Sequence, residues 1–221
     1  MTTPEYELLA KAARPARTAI HTNIPVIEER DAAGDVAEAY QYFRSHFGRP
    51  DVPGILKCFS SSPALMQAIM SISSTLLFSD GYLGRRCKEM IASYVSKLND
   101  CPYCLDSHAF FLRVHGGGEA AGCILEDRLD SSRITPAECE LLEFVRKVNG
   151  ESHRITQADV TTLRTTGWTD EQIAEAVHLA AAFAFFNRVA NGFGLPSQGL
   201  LTLDMSSLNA SVTGEQAPDP L

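Results

Sequence analysis

Cys101 and Cys104 are separated by two residues, and His108 lies four positions beyond Cys104. On a helix, residues three and seven apart share a face, their directions differing by about 60° or less. Pro102 suits the first helical position, which makes Cys101 the N-cap and puts Cys104 in the first turn. Free backbone N–H groups and the positive end of the helix dipole then face both sulfurs and favour the thiolate, the nucleophilic form. A thiolate can attack a peroxide oxygen, and the leaving hydroxide or alkoxide needs a proton that histidine carries well near neutral pH. The attacked cysteine becomes a sulfenic acid, and a neighbouring thiol condenses with it to a disulfide. Two cysteines at this spacing supply attacker and resolver together. The spacing alone leaves their order open. Cys104 is nearer His108 in helical register, whereas Cys101, at the helix edge, is expected to be easier for a reductant to reach.

The elements that must hold these groups follow from apolar periodicity. Arg85 to Leu98 reads as a helix with Met90, Ile91, Tyr94, Val95 and Leu98 on one side. Asn99-Asp100 is a turn, and a second helix runs to His115, where Gly116-Gly117-Gly118 stops it. So short a turn predicts an antiparallel hairpin. Glu89 then sits about 13 Å back along one helix and His108 about 10 Å along the other, near the same level. A carboxylate, an imidazole and a thiol line up as Glu89, His108 and Cys104. The other predicted helices are Asp31 to Phe47, Pro63 to Leu77, Glu119 to about Glu126, Thr135 to about Val148, Thr156 to about Thr165, and Thr169 to about Asn191. Thr135 with Glu138, and Thr169 with Gln172, make capping boxes. No stretch reads as a strand. The expected class is all-α, with about eight helices. Residues 1–22 read as an N-terminal arm, 23–195 as one helical domain, and 196–221 as an extended or mobile tail.

Composition narrows the function classes. The 221 residues carry 19 Lys plus Arg against 27 Asp plus Glu, a formal net charge of −8. That balance argues against nucleic acid and against an anionic membrane surface, both of which need a basic face. The most apolar stretch, Ala174 to Val189, is broken by Glu175, His178, Asn187 and Arg188, and reads as too short and polar to span a bilayer. With no secretory signal visible, a cytoplasmic location is expected, where six cysteines are more often redox groups or metal ligands than disulfide staples.

The spacing Glu89, Cys101-Pro102-Tyr103-Cys104, His108 resembles the AhpD family of alkylhydroperoxidases, grouped with the carboxymuconolactone decarboxylase-like proteins. The block from Thr169 to Gly192 is similar to the peroxidase-related branch, and the resemblance covers roughly residues 25–195. It implies an all-helical AhpD-like fold, a homo-oligomer, and thiol-dependent reduction of hydrogen peroxide or organic hydroperoxides without metal, haem or other cofactor. By the same resemblance Cys104 attacks and Cys101 resolves, Glu89 and His108 relay protons, and Tyr103 supports them. Regeneration calls for an external thiol reductant, such as a dihydrolipoyl protein or a thioredoxin-like partner.

Blander readings use the same residues. Cys101, Cys104 and His108, with Cys87 or His115, would suit a structural zinc. The pair could also serve general dithiol–disulfide exchange, a redox sensor without turnover, or a decarboxylase-like enzyme that does not use it. Cys58, Cys87, Cys123 and Cys139 lack paired spacing and read as small buried hydrophobes. His178 reads as structural, and the Phe183, Phe185 and Phe186 cluster as core or subunit interface.

Overall fold

The computed structural model describes Leu8 and residues 21–129 and 132–203. The rest of the expected N-terminal arm and tail lies outside the described residues. Nine α-helices and no strand occur among the described residues. They are α1 Gly34–Phe47, α2 Gly54–Lys57, α3 Pro63–Leu76, α4 Arg85–Leu98, α5 Pro102–Val114, α6 Gly118–Leu125, α7 Pro136–Glu151, α8 Gln157–Thr165 and α9 Asp170–Phe193. Eight match the periodicity. The ninth, α2, is a single turn between Pro53 and Cys58, too short for a 3.6-residue period to show.

Capping chemistry sets several boundaries. Both expected capping boxes form: Thr135 accepts from the Glu138 N–H and Thr169 from the Gln172 N–H, and each partner side chain reaches back. The turn joining α4 to α5 is a Schellman motif. The Cys101 N–H donates to the Ser96 carbonyl (3.0 Å), and the Asp100 N–H to that of Lys97 (3.2 Å). Asp100 takes the left-handed conformation this requires, with φ at 47°. Cys101 thus closes one helix and caps the next.

α4 and α5 form the most intimate helix pair, and α9 crosses α4. The hairpin separates two apolar cores. One gathers α1, α2, α3 and the cysteine-bearing part of α5. The other gathers α6, α7, α8 and the N-terminal half of α9 against α4. Every residue of α4 from Lys88 to Ser96 is buried, four of them polar or charged. Such groups stay buried only if partnered. Lys88 pairs with Glu175 (2.7 Å) and donates to the Leu76 and Ser79 carbonyls. Ser93 and Ser96 donate to the carbonyls one turn back.

Two sequence expectations need correction. α9 is a continuous 24-residue helix, so by length and composition alone it could span a bilayer; in the fold, 44% of its most apolar window is buried against its neighbours. The first part of the expected tail, 196–203, is tied to α5. Asp106 accepts the N–H groups of Gln198, Leu200 and Leu201, each at 3.0 Å. Gly199, at φ 71°, supplies the left-handed residue that turns successive N–H groups toward one carboxylate.

Candidate active site

The Glu89 carboxylate has no exposed surface. Its Oε2 lies 2.7 Å from Nδ1 of His108, across the hairpin. A carboxylate only accepts, so Nδ1 carries the proton and Nε2 is the nitrogen left for other partners. Oε1 accepts from Nε (2.8 Å) and Nη2 (2.7 Å) of Arg85, one turn earlier on α4. The Arg85 guanidinium in turn lies over the Phe78 ring, 4.6 Å from its centre. The His108 ring stands edge-on between Phe183 (4.6 Å between centroids) and Phe111 (5.5 Å). The two rings restrain its orientation, and the bond at Nδ1 fixes its tautomer.

Cys101 is the N-cap of α5 with Pro102 at the first position. It is 1% exposed and Cys104 3%, and neither is joined in a disulfide. The reading of Cys101 as the accessible sulfur is therefore wrong: it is sealed in the first core. Cys101 is held below the ordinary thiol range, chiefly by the Cys104 thiol beside it and then by first-turn N–H groups and the Asn187 amide; burial opposes the shift. Cys104 is pushed well above that range, first by donating to Cys101, then by burial. Of the two thiols, Cys101 is therefore the easier to deprotonate.

A cavity of about 110 Å³ opens on Cys104 and His108, while Cys101 lies outside its lining. Six phenylalanines line it: Phe43, Phe47, Phe78, Phe111, Phe183 and Phe186. The reading of Phe183 and Phe186 as mere core or interface is thus incomplete, because both face the cavity; Phe185 points outward. Tyr103 also lines it, and its hydroxyl accepts from the Ile55 N–H of α2 (3.1 Å). The polar rim continues with Ser107 and with Gln198 of the tethered segment, whose amide donates to Ser107 Oγ (2.7 Å).

The fold therefore brings Glu89, His108, Cys104, Cys101 and Tyr103 into one neighbourhood. It separates the extra ligands of the zinc reading. Cys87 packs against the other core, and His115 caps the far end of α5, about 16 Å along the helix from Cys104. Among the described residues no three His, Cys, Asp or Glu side chains group as metal ligands. Sequence reasoning missed Arg85, Asn187 and Gln198 as site residues. The i,i+4 spacing of Arg85 to Glu89 was a usable signal. Asn187, a polar residue amid Ala and Phe, was a weaker one. Gln198, in a segment without periodicity, offered none.

Comparison with known proteins agrees with this layout. Residues 63–120, from the start of α3 into α6, match the carboxymuconolactone decarboxylase family. No curated protein matches the chain. A peroxidase-related protein from Ralstonia eutropha JMP134, described as an alkylhydroperoxidase AhpD core, is 26% identical with a TM-score of 0.73, over 84% of this chain and 97% of that one. A peroxidase-related protein from Silicibacter sp. TM1040 is 24% identical with a TM-score of 0.69, over 80% and 91%. A debrominase in complex with 2,3,4-tribromopyrrole shares the fold at 16% identity and a TM-score of 0.65, over 85% and 99%. With its all-helical architecture, its family match over the helices that build the site and its peroxidase-related structural neighbours, the chain is similar to the AhpD and carboxymuconolactone decarboxylase-like proteins and shares their fold.

Proposed function

We propose that the protein is a thiol-dependent peroxidase that reduces compact organic hydroperoxides through the Cys101/Cys104 pair. The observation that carries this reading is the Glu89–His108 contact at 2.7 Å, set beside Cys104 on the wall of one cavity. The substrate's apolar group fills the phenylalanine-lined space and its O–O bond lies at the polar end. Cys104 gives up its proton to the neighbouring relay, and its sulfur attacks the nearer oxygen. The O–O bond breaks, His108 Nε2 returns the proton to the leaving alkoxide, and an alcohol departs. Cys104 is then a sulfenic acid. Cys101 attacks that sulfur, a disulfide forms, and water leaves. The sum is one hydroperoxide and two thiols consumed for one alcohol, one disulfide and one water. An external dithiol, such as a dihydrolipoyl or thioredoxin-like protein, closes the cycle.

The test is one equivalent of cumene hydroperoxide added to reduced protein, with thiols counted and the disulfide mapped by mass spectrometry. Loss of two thiols with a Cys101–Cys104 bridge, and loss of turnover in Cys104→Ser, are expected. Unchanged thiol counts, or full turnover in Cys104→Ser, would overturn the assignment.

The aromatic wall favours a second reading, reductive removal of halogen from a small ring, the kind of ligand held by the debrominase of the same fold. There an aryl bromide and two thiols would give the arene, a disulfide and hydrogen bromide. Bromide release from a bromopyrrole, without peroxide turnover, would select it.

A further inference from the structure

Arg49 follows α1 directly, past the Gly48 cap, and its side chain is only 5% exposed. It lines the same cavity as Cys104 and His108. Among the described residues lining that cavity it is the only one with a permanent charge. A guanidinium carries five N–H donors in a planar fork. The Asp51 carboxylate accepts from Nη2 (3.0 Å) and, more weakly, from Nε (3.4 Å). Asp51 lies outside the lining, and its side chain is 28% exposed. The ion pair is therefore polarised across the cavity wall. The carboxylate reaches toward water, where its field is screened, and the guanidinium faces an apolar space, where its field is not. Ser73 of α3 lines the cavity as well, and among the described residues its hydroxyl has no protein hydrogen-bond partner. Near the end of α1, His46 Nε2 meets Ser74 Oγ at 3.0 Å. That contact joins α1 to α3 three residues before Arg49 and one after Ser73, so cation and hydroxyl enter the cavity from one seam. Cys104 and His108 enter it from α5.

We propose that Arg49 anchors a carboxylate of the substrate, with the Ser73 hydroxyl as a second donor, so that the cavity takes small hydroperoxy acids in preference to neutral hydroperoxides. A neutral ligand would leave the guanidinium facing apolar surface, which costs free energy, whereas a carboxylate compensates it with charge-assisted hydrogen bonds. The planar fork matches the two oxygens of a carboxylate. One cation and one hydroxyl suit a monoanion; a phosphate, with up to two charges, would call for more cations than this wall holds. The phenylalanines take the carbon skeleton, and the O–O bond is left for Cys104. The hydroperoxide half of this statement rests on the peroxidase reading; the carboxylate half rests on Arg49 and its place in the cavity.

The first test uses no peroxide. The reduced full-length protein is alkylated with iodoacetamide in the presence of benzoate or benzyl alcohol, and labelling of Cys104 is followed by mass spectrometry. Benzoate should half-protect Cys104 at a concentration roughly tenfold below that of benzyl alcohol, the advantage of a charge-assisted bond. Arg49→Met should erase the preference, and Arg49→Lys, which keeps the charge and loses the fork, should retain part of it. Equal protection by the two compounds in the unaltered protein, or an undiminished preference in Arg49→Met, overturns the anchor. The comparison in the unaltered protein decides the matter even if Arg49→Met does not fold. The second test compares KM for tert-butyl hydroperoxide with KM for a tertiary hydroperoxide carrying a propionate arm. The acid should show a KM roughly tenfold lower, and the difference should vanish in Arg49→Met. Equal KM values in the unaltered protein overturn the substrate class. Absence of turnover with both would sink the peroxidase reading and leave the benzoate result, and with it the anchor, standing.

Discussion

Glu89, sealed from water, has Arg85 on one oxygen and His108 on the other. Arg85 touches neither sulfur nor cavity, so its role is to position. Without its fork Glu89 keeps a single partner and is free to turn, and the His108 ring loses the acceptor that fixes its tautomer. Arg85→Gln is expected to lower peroxide turnover roughly tenfold, a fraction of what general acid–base catalysis contributes, with KM little changed. Arg85→Lys should recover part of the loss. Equal loss in kcat and gain in KM would point to a collapsed cavity instead. Arg85 and Glu89 are close in sequence and their spacing was legible, whereas the burial of both sulfurs was not. The N-cap position of Cys101 is a local property; its 1% exposure is set by the first core that packs around it.

At the scale of elements, the hairpin works because its turn is satisfied twice over. The Schellman bonds close α4, and Asn191 of α9 donates to the Asn99 and Asp100 carbonyls. The tethered segment 198–201 is the counterpart on the cavity side. One buried carboxylate, Asp106, takes three of its N–H groups, and Gln198 thereby reaches the cavity rim. Asp106→Ala should cost about 3 kcal/mol, in the range for hydrogen bonds to a charged group. It should also raise the rate at which iodoacetamide alkylates Cys104, because one wall of the cavity loses its anchor. Urea unfolding and mass-resolved alkylation measure the two effects. Unchanged alkylation in a destabilised variant would show the segment to be structural only. The segment escaped sequence reading because Pro, Ser and Gly carry no apolar period, and its anchor lies more than ninety residues away.

The whole molecule places two cores on either side of α4 and α5, and thiols and phenols sit inside both. Burial pushes Cys58 and Cys87 up to about 12, and Tyr40 and Tyr94 likewise to about 12. In the unfolded chain the thiols ionise near 9.0 and the phenols near 10.0. Between these values and 12 the unfolded state binds fewer protons than the folded one, so stability must fall as pH rises. Cys101, held low, acts in the opposite sense, and only below the unfolded thiol value. The reduced protein should therefore show a melting temperature that declines steadily above about pH 9. Cys87→Ala should flatten part of the slope. A melting temperature independent of pH across that range would contradict the burial of these groups.

What the sequence by itself determined was local. Helical class, eight helices, two capping boxes, the N-cap cysteine and the level match of Glu89 with His108 all follow from spacing along one or two helices. Rise per residue and capping chemistry act within a few residues, and a tight turn carries that arithmetic across the hairpin. The tertiary structure alone decided the single turn α2, the sealing of both sulfurs, the phenylalanine-lined cavity, the tether of 196–203 and the partners of Asn187. Each depends on contacts between distant residues, as when Ile55 meets Tyr103 across 48 positions or Asn187 meets Ser96 across 91. No local period encodes such pairs. They form because polar groups buried by packing must find partners wherever the fold brings them.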